Sequence, residues 1–305
     1  METQLNERVQ VRCAICSSDS DSTVLFVSGF RIARCSNCDF IFVNPRPTEQ
    51  SLSTTYSHHR GDVFDSLGES FEPIEREGPI LLKVVRRIQK YVQRGKLLEV
   101  GCGRGDLLAI AQSHGFSVTG CDMFCGKIPV LEGATFHDGT LKQAQFPADH
   151  FDVVVIRNVL EHLFDPNEEI KEIRRVLKPK GHLYIKVPNV DFETGLWIRL
   201  TTGFRFKHGF CPPYHLNHFS QASFKRFLKN GQFEFLCWHL EQPSPTSQWL
   251  LNALQQTGYR FIQTLYFLTQ GTIFPKVLLS CLTQKSRDDE PKAKPGPSAS
   301  AAVSA

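Results

Sequence analysis

Two sets of residues in this 305-residue chain have the types and spacing to do chemistry. The first is Glu99-Val100-Gly101-Cys102-Gly103-Arg104-Gly105-Asp106, an acid followed by glycines at alternate positions. Backbone bare of side chains turns sharply and lets a ligand approach where a Cβ would collide. The run therefore reads as the exit of a buried strand, a ligand-binding turn and the start of a helix. The spacing is G-x-G-x-G, because Asp106 stands where nicotinamide and flavin binders carry their last glycine. A second acid, Asp122, closes the run Phe116–Asp122, 23 residues after Glu99. At the carboxyl end of the second strand of a parallel sheet, an acid accepts hydrogen bonds from ribose hydroxyls.

The second set is Cys13-Ala14-Ile15-Cys16 and Cys35-Ser36-Asn37-Cys38, two C-x2-C pairs separated by eighteen residues. Two such knuckles bring four thiolates around a Zn²⁺ tetrahedron, and a full set of protein ligands leaves no position for water or substrate. Two disulfides, or a redox pair, are the competing reading. The other six cysteines follow no pattern and no secretory leader is read, which sets the expectation of a reducing, cytoplasmic compartment. Cys102 and Cys121 read as small buried residues.

The elements that must position these groups follow from pattern. Residues 151–156 form a short apolar run bounded by polar residues, the mark of a strand buried on both faces. Asp165-Pro166-Asn167-Glu168 reads as N-cap, first helical position and capping box, opening a helix that runs to about Lys178. A strand at 182–189 follows. Ser220 reads as the N-cap of a helix through Asn230 that Gly231 ends, and strands are expected at 233–241 and 276–284. Ile80, Leu81, Val84, Val85, Ile88 and Tyr91 form the apolar stripe of an earlier helix whose Arg86, Arg87, Lys90 and Arg94 make a solvated face.

The E-V-G-C-G-R-G turn, the F-D-V-V strand, V-L-E-H-L-x-D-P and R-V-L-K-P-K-G-H-L-Y-I-K-V-P-N occur in this order between Lys96 and Asn189. Together they resemble a class I S-adenosylmethionine-dependent methyltransferase, in the branch that holds the ubiquinone-biosynthesis O-methyltransferase and many bacterial sugar and lipid methyltransferases. The resemblance implies an α/β fold: a Rossmann-like seven-stranded sheet with the last strand antiparallel, here joined to a small N-terminal zinc ribbon. It implies that backbone at Gly101, Cys102, Gly103 and Gly105 approaches the methionine part of the cofactor, whose amino group Glu99 orients. Asp122 would hold the ribose and Met123 would lie against adenine. Asp138, Gly139, Thr140 and Leu141 occupy the place of the adenine-contacting turn, and Asn158 and Leu160 would flank the methionine portion.

The chain divides into a ribbon at 1–45, a connector at 46–78, a methyltransferase domain at 79–285 and a disordered tail at 286–305. The connector serves as a lid or as a loop-rich linker, with His58 and His59 facing solvent. Within the large domain, 190–219 and 242–275 are expected as substrate-side inserts. His215 and His162 are the candidate general bases; against this stands packing and capping for His162, and packing within the insert for His215. His218 is a weaker candidate beside them. The apolar segment 242–275 supplies helices over the site or a homodimer contact, with a membrane-surface hairpin as the second reading. Lys and Arg exceed Asp and Glu by 35 to 31, a net charge of +4 too mild to imply nucleic acid. The expected activity is methyl transfer, O-directed, to a small-molecule, glycan or lipid-linked acceptor, in the cytoplasm or at the inner face of the membrane. An RNA methyltransferase that grips RNA with its ribbon, and a non-catalytic cofactor-binding scaffold, are the alternatives.

Overall fold

The computed structural model describes residues 7–52, 54, 73–123, 131–193, 210–239 and 278–286. The segment 242–275, the tail beyond Ser286 and the residues His58 and His59 lie outside that set. The amino-terminal unit holds β1 (Arg8–Val9), β2 (Asp21–Val27), β3 (Phe30–Cys35), β4 (Ile41–Val43) and β5 (Arg46–Pro47). β2 and β3 form a hairpin around Ser28-Gly29, both at positive φ, the two-residue turn whose twist matches its strands.

The larger unit opens with α1 (Pro73–Gln89) and continues through β6 (Gly95–Val100), α2 (Asp106–Ser113), β7 (Phe116–Asp122), β8 (Thr135–Asp138), α3 (Leu141–Ala144) and β9 (Phe151–Arg157). It goes on through α4 (Pro166–Val176), β10 (Leu177–Pro188), α5 (Val190–Glu193), β11 (Asn217–His218), α6 (Gln221–Asn230), β12 (Phe233–His239) and β13 (Leu278–Lys285). Seven of these strands form one sheet in the order β12-β13-β10-β9-β6-β7-β8. The five strands from β10 to β8 pair in parallel, and β13 runs antiparallel to both its neighbours. This is the expected Rossmann-like sheet.

Strand alternation explains why both faces are covered. Leu98, Val100, Val154, Ile156, Leu183 and Ile185 share one face with α4 and α6 residues. Leu97, Val153, Val155 and Tyr184 share the other with Leu81, Val84, Val85 and Ile88 of α1 and Leu107, Leu108 and Ala111 of α2. The apolar stripe of α1 thus packs as read, except for Tyr91. That residue lies past the helix end, 46% exposed, with its ring 5.6 Å from that of His182.

Helix starts follow their caps. Ser220 and Ser223 exchange hydrogen bonds in a capping box at α6, and Asp165 Oδ1 accepts from the Asn167 amide at 2.8 Å at α4. Glu168, expected to complete a box, is instead engaged by Lys171 Nζ at 2.8 Å. α4 stops at Val176, two residues before the expected end. Leu177 is fully buried in the core and pairs with Phe151, so the chain passes directly from helix to strand. The residues 178–181 then bulge out before pairing resumes at His182.

The two units share a sheet. β11 pairs with β4, giving a second sheet in the order β11-β4-β3-β2, with Asn217 opposite Phe42 and His218 opposite Ile41. Phe40 stacks on Phe42 at 5.8 Å and meets Phe219 at 5.2 Å, and Asn230 Nδ2 donates to the Ile15 carbonyl at 2.7 Å. Cys13, Ile15 and Cys35 belong to the same apolar cluster as Phe224 and Phe227 of α6. Among the described residues no helix is long and apolar enough to cross a membrane.

Phe219 is fully buried where the two units meet, so Phe219→Ala should destabilise the protein by about 3–5 kcal/mol through transfer and cavity effects. Urea unfolding followed by fluorescence should show one shifted transition. A variant as stable as the parent would refute the shared core.

Candidate active site and metal centre

β6 lies between β7 on one side and β9 on the other, so the chain order reverses at its carboxyl end and a crevice opens there. Gly101 turns the backbone at φ 70°, and a Cβ on it would sit 2.3 Å from Val159 Cγ2. No other residue fits that position without displacing Val159. The Gly101 amide donates to the Cys121 carbonyl at 2.8 Å, and the Gly103 amide donates to Asp122 Oδ2 at 2.9 Å. The second acid of the sequence pattern thus fastens the glycine turn of the first.

A cavity of about 720 Å³ opens at this point, a size suited to a small molecule. Of the expected cofactor residues, Gly101, Asp122, Met123, Gly139, Thr140, Leu141 and Asn158 lie on its wall. Asn158 holds a left-handed conformation, φ 54°, that asparagine tolerates better than most residues. Thr140 caps α3 in a box with Gln143. The remaining expected residues stand behind the wall or beside it. Cys102 is buried with its Sγ over Gly120, Gly105 caps α2, and Leu160 is packed in the core. Asp138 is exposed on β8, in register with Asp122.

Glu99 is buried in β6, and its Oε2 has no hydrogen-bond partner. Burial pushes its carboxyl from the ordinary 4.5 up to about 8; Arg157 opposes the shift, while Asp106 and Asp122 add to it. A buried, unsatisfied acceptor beside a glycine turn fits a ligand that carries an ammonium group.

Both candidate bases are near the cavity. His162 lies on its wall, and its Nδ1 is 2.9 Å from the Tyr214 carbonyl oxygen. A carbonyl only accepts, so Nδ1 carries a proton, and in the neutral tautomer with that proton the lone pair is on Nε2. The His215 ring is 4.8 Å away, and one donor atom each of Glu161, His162 and His215 lies within 4.8 Å of the others. Such a set can pass a proton or hold a divalent cation. His218 is buried on β11 against Phe210, and burial lowers its imidazole to about 3, with His215 and Arg46 adding to the effect.

Other parts of the wall carried no local signal. Glu49, Gln50 and Leu52 come from a helical turn at 49–52, which Thr48 starts by accepting from the Ser51 amide. Thr48-x-x-Ser51 marks a helix start but says nothing of where it packs. Glu169, in the first turn of α4, also faces the cavity, and burial raises its carboxyl to about 7, with Glu172 adding to the shift.

The four cysteines of the ribbon converge. Cys13 and Cys38 sulfurs are 3.4 Å apart, those of Cys16 and Cys35 are 3.5 Å apart, and all four lie within 4.8 Å of one another. A disulfide needs about 2.05 Å, whereas ligands at the usual Zn–S length stand about 3.8 Å apart. The crowding separates their acidities. Cys13, hydrogen-bonded to Cys38 and buried, is driven up, while Cys38 is drawn down to about 5 by the same bond. Burial also raises Cys35. Four such thiols ionise together only around a cation, and the tetrad is compatible with structural zinc.

The strand order, the glycine turn with its two acids, and the cavity define a class I S-adenosylmethionine-dependent methyltransferase. Comparison with known proteins agrees: residues 74–237 match the methyltransferase domain family, and the chain belongs to it. The ubiquinone biosynthesis O-methyltransferase of Proteus mirabilis is 30% identical over 173 residues, half of this chain and 68% of that protein. That of Histophilus somni is 30% identical over 146 residues, covering 44% of this chain and 60% of that protein. Among solved structures, the 1,6-didemethyltoxoflavin-N1-methyltransferase of Burkholderia thailandensis, with S-adenosylhomocysteine bound, aligns over 88% of this chain and 100% of its own. Its TM-score is 0.52 at 12% identity. The [4+2]-cyclase SpnF aligns over 79% of this chain and 97% of its own, with TM-score 0.52 at 17% identity. Both share the fold.

Metal analysis of the full chain should find about one zinc per molecule. Cys38→Ser should lower both zinc content and melting temperature, and a metal-free parent of unchanged stability would rule the site out. Glu99 gives a second test. The unfolded chain ionises it at about 4.5 while the folded protein keeps its proton to about 8, so folded stability falls as pH rises through that window. Glu99→Gln should therefore stabilise the ligand-free protein at pH 8 by on the order of a few kcal/mol, seen as a higher melting temperature, and the gain should vanish below pH 4.5. A gain independent of pH would contradict the burial of an ionisable carboxyl.

Proposed function

We propose that this enzyme methylates an oxygen of a small-molecule acceptor, a sugar, lipid-linked glycan or quinone-like hydroxyl. The carrying observation is His162 on the cavity wall, with its Nδ1 proton given to the Tyr214 carbonyl. The O-methyltransferase relatives support the same choice of atom. S-adenosylmethionine, when bound, supplies an electrophilic methyl group on a sulfonium.

The chain's residues divide the remaining work. Asp122 receives the ribose hydroxyls, Met123 lies along the adenine, and Gly139, Thr140 and Leu141 bound the base. Asp138 orients this turn from the neighbouring strand position. Backbone at Gly101, Cys102, Gly103 and Gly105 lets the methionine portion approach, and Asn158 flanks it with Leu160 packed beneath. Glu99 meets the amino group and gives up its proton when that positive charge arrives. His162 accepts the acceptor's hydroxyl proton at Nε2, and His215, with Glu161, stabilises the imidazolium that forms. Holding nucleophile and methyl in line is worth about 7–11 kcal/mol, whereas a positioned base adds about 10²–10⁴ in rate. Alignment therefore contributes more than proton removal. Glu49, Gln50 and Leu52 of the connector, which line the cavity, bound the acceptor side in this reading.

Calorimetry with S-adenosylhomocysteine should show binding that Asp122→Ala weakens by about tenfold or more, the loss expected when a charge-assisted hydrogen bond disappears. Near pH 7 binding should release up to about one proton, since Glu99 is protonated before and ionised after, and Glu99→Gln should abolish the release. Incubation with a tritiated-methyl donor and fractionated extract should label a small-molecule or lipid fraction. His162→Gln should cut that labelling by about 10²–10⁴ while leaving homocysteine-product binding intact. Label confined to RNA, or no binding by the parent protein, would overturn the reading.

A further inference from the structure

We infer that Arg46 and Asn217 are positioning residues for methyl transfer, through which the ribbon holds the turn that presents His162 to the cavity. This rests on the reading of His162 as the proton acceptor. Arg46 follows the ribbon on β5 and is only 3% exposed. Its Nη1 donates to the Phe164 carbonyl at 2.7 Å, its Nε to the Val43 carbonyl at 3.3 Å and its Nη2 to Asn217 Oδ1 at 3.4 Å. One planar fork thereby joins three parts of the chain: β4, the 160–164 turn and β11. Asn217 continues the chain of contacts. Its Nδ2 donates to the Leu163 carbonyl at 2.7 Å and to the Leu160 carbonyl at 3.2 Å. The backbone amides of Leu216 and Asn217 donate to the Glu161 carbonyl at 2.7 and 3.0 Å.

The carbonyls of Leu160, Glu161, Leu163 and Phe164 are thus all held by Arg46, Leu216 and Asn217. A turn between a strand and a helix ordinarily leaves such groups to water. This one carries His162, and its Leu163 and Phe164 line the same cavity. A charged guanidinium and a two-way amide are costly groups to bury. Stability alone is served as well by apolar filling, whereas holding one imidazole against the Tyr214 carbonyl requires directional bonds. Neither Arg46 nor Asn217 lines the cavity where Gly101 and Asp122 stand, so the clamp sets the acceptor's proton path and leaves cofactor binding to other residues.

The test uses the full chain labelled with ¹⁵N-histidine, with Asn217→Ala, Arg46→Met and Arg46→Lys. In the parent, long-range ¹H–¹⁵N spectra should show His162 held as the Nδ1–H tautomer. Asn217→Ala and Arg46→Met should release it to the mixture of tautomers found in free histidine, and Arg46→Lys, which keeps the charge but not the fork, should do so in part. S-adenosylhomocysteine affinity should stay within about twofold of the parent in Asn217→Ala and Arg46→Lys, as for changes remote from a site. Should Arg46→Met fail to fold, the other two variants decide. A His162 tautomer unchanged in those two, or binding lost together with the fold in both, would overturn the inference. A parent that binds no S-adenosylhomocysteine yet shows the tautomer shift would instead defeat the proposed function and leave the clamp standing.

Discussion

Strands that lead away to either side of one parallel strand leave its end open, because the helices that follow them diverge. β6 is that strand, and the rest of the site answers to its geometry. The backbone must leave β6 without a side chain at Gly101, since Val159 from the neighbouring β9 exit already fills the space. The turn must then be tied down, and the carboxylate ending β7 does this through the Gly103 amide. Glu99, the penultimate residue of β6, has to be buried at the same place and keeps its proton in consequence. A structure that binds a charged nucleoside here thus stores an unmet electrostatic demand in its ligand-free state.

These features were readable in the amino-acid sequence to unequal degrees. The central strands were, because burial on both faces writes a mostly apolar run, as at Val153-Val154-Val155-Ile156. Caps were as well: Ser220 and Asp165 begin helices through side-chain bonds to amides two or three residues on, a purely local matter. The end of α4 was not, since only the pull of Leu177 into the core and its pairing with Phe151 decides it. Tyr91 misleads for a similar reason, its aromatic character saying nothing of the helix having ended at Gln89.

The site divides along the same line. Gly101 and Asp122 reveal themselves because their chemistry depends on their own types and on a short spacing. Glu169 does not, for an acid in the first turn of a helix is indistinguishable from one that merely complements the helix dipole. Arg46 and the turn at 49–52 are harder still. Their place beside the cavity exists only once β11, more than a hundred and fifty residues later, has paired with β4. The cysteine knuckles announce a metal centre by spacing, yet nothing in that spacing tells that the centre sits on α6 and shares its apolar cluster.

The pairing of β4 with β11 sets an order on biosynthesis. A chain emerging from the ribosome exposes all four cysteines and the first three ribbon strands long before Asn217 and His218 exist. Until then the ribbon has an unpaired edge, the kind of surface that recruits other chains. That edge is closed only when residues 217 and 218 have been made and paired with Phe42 and Ile41.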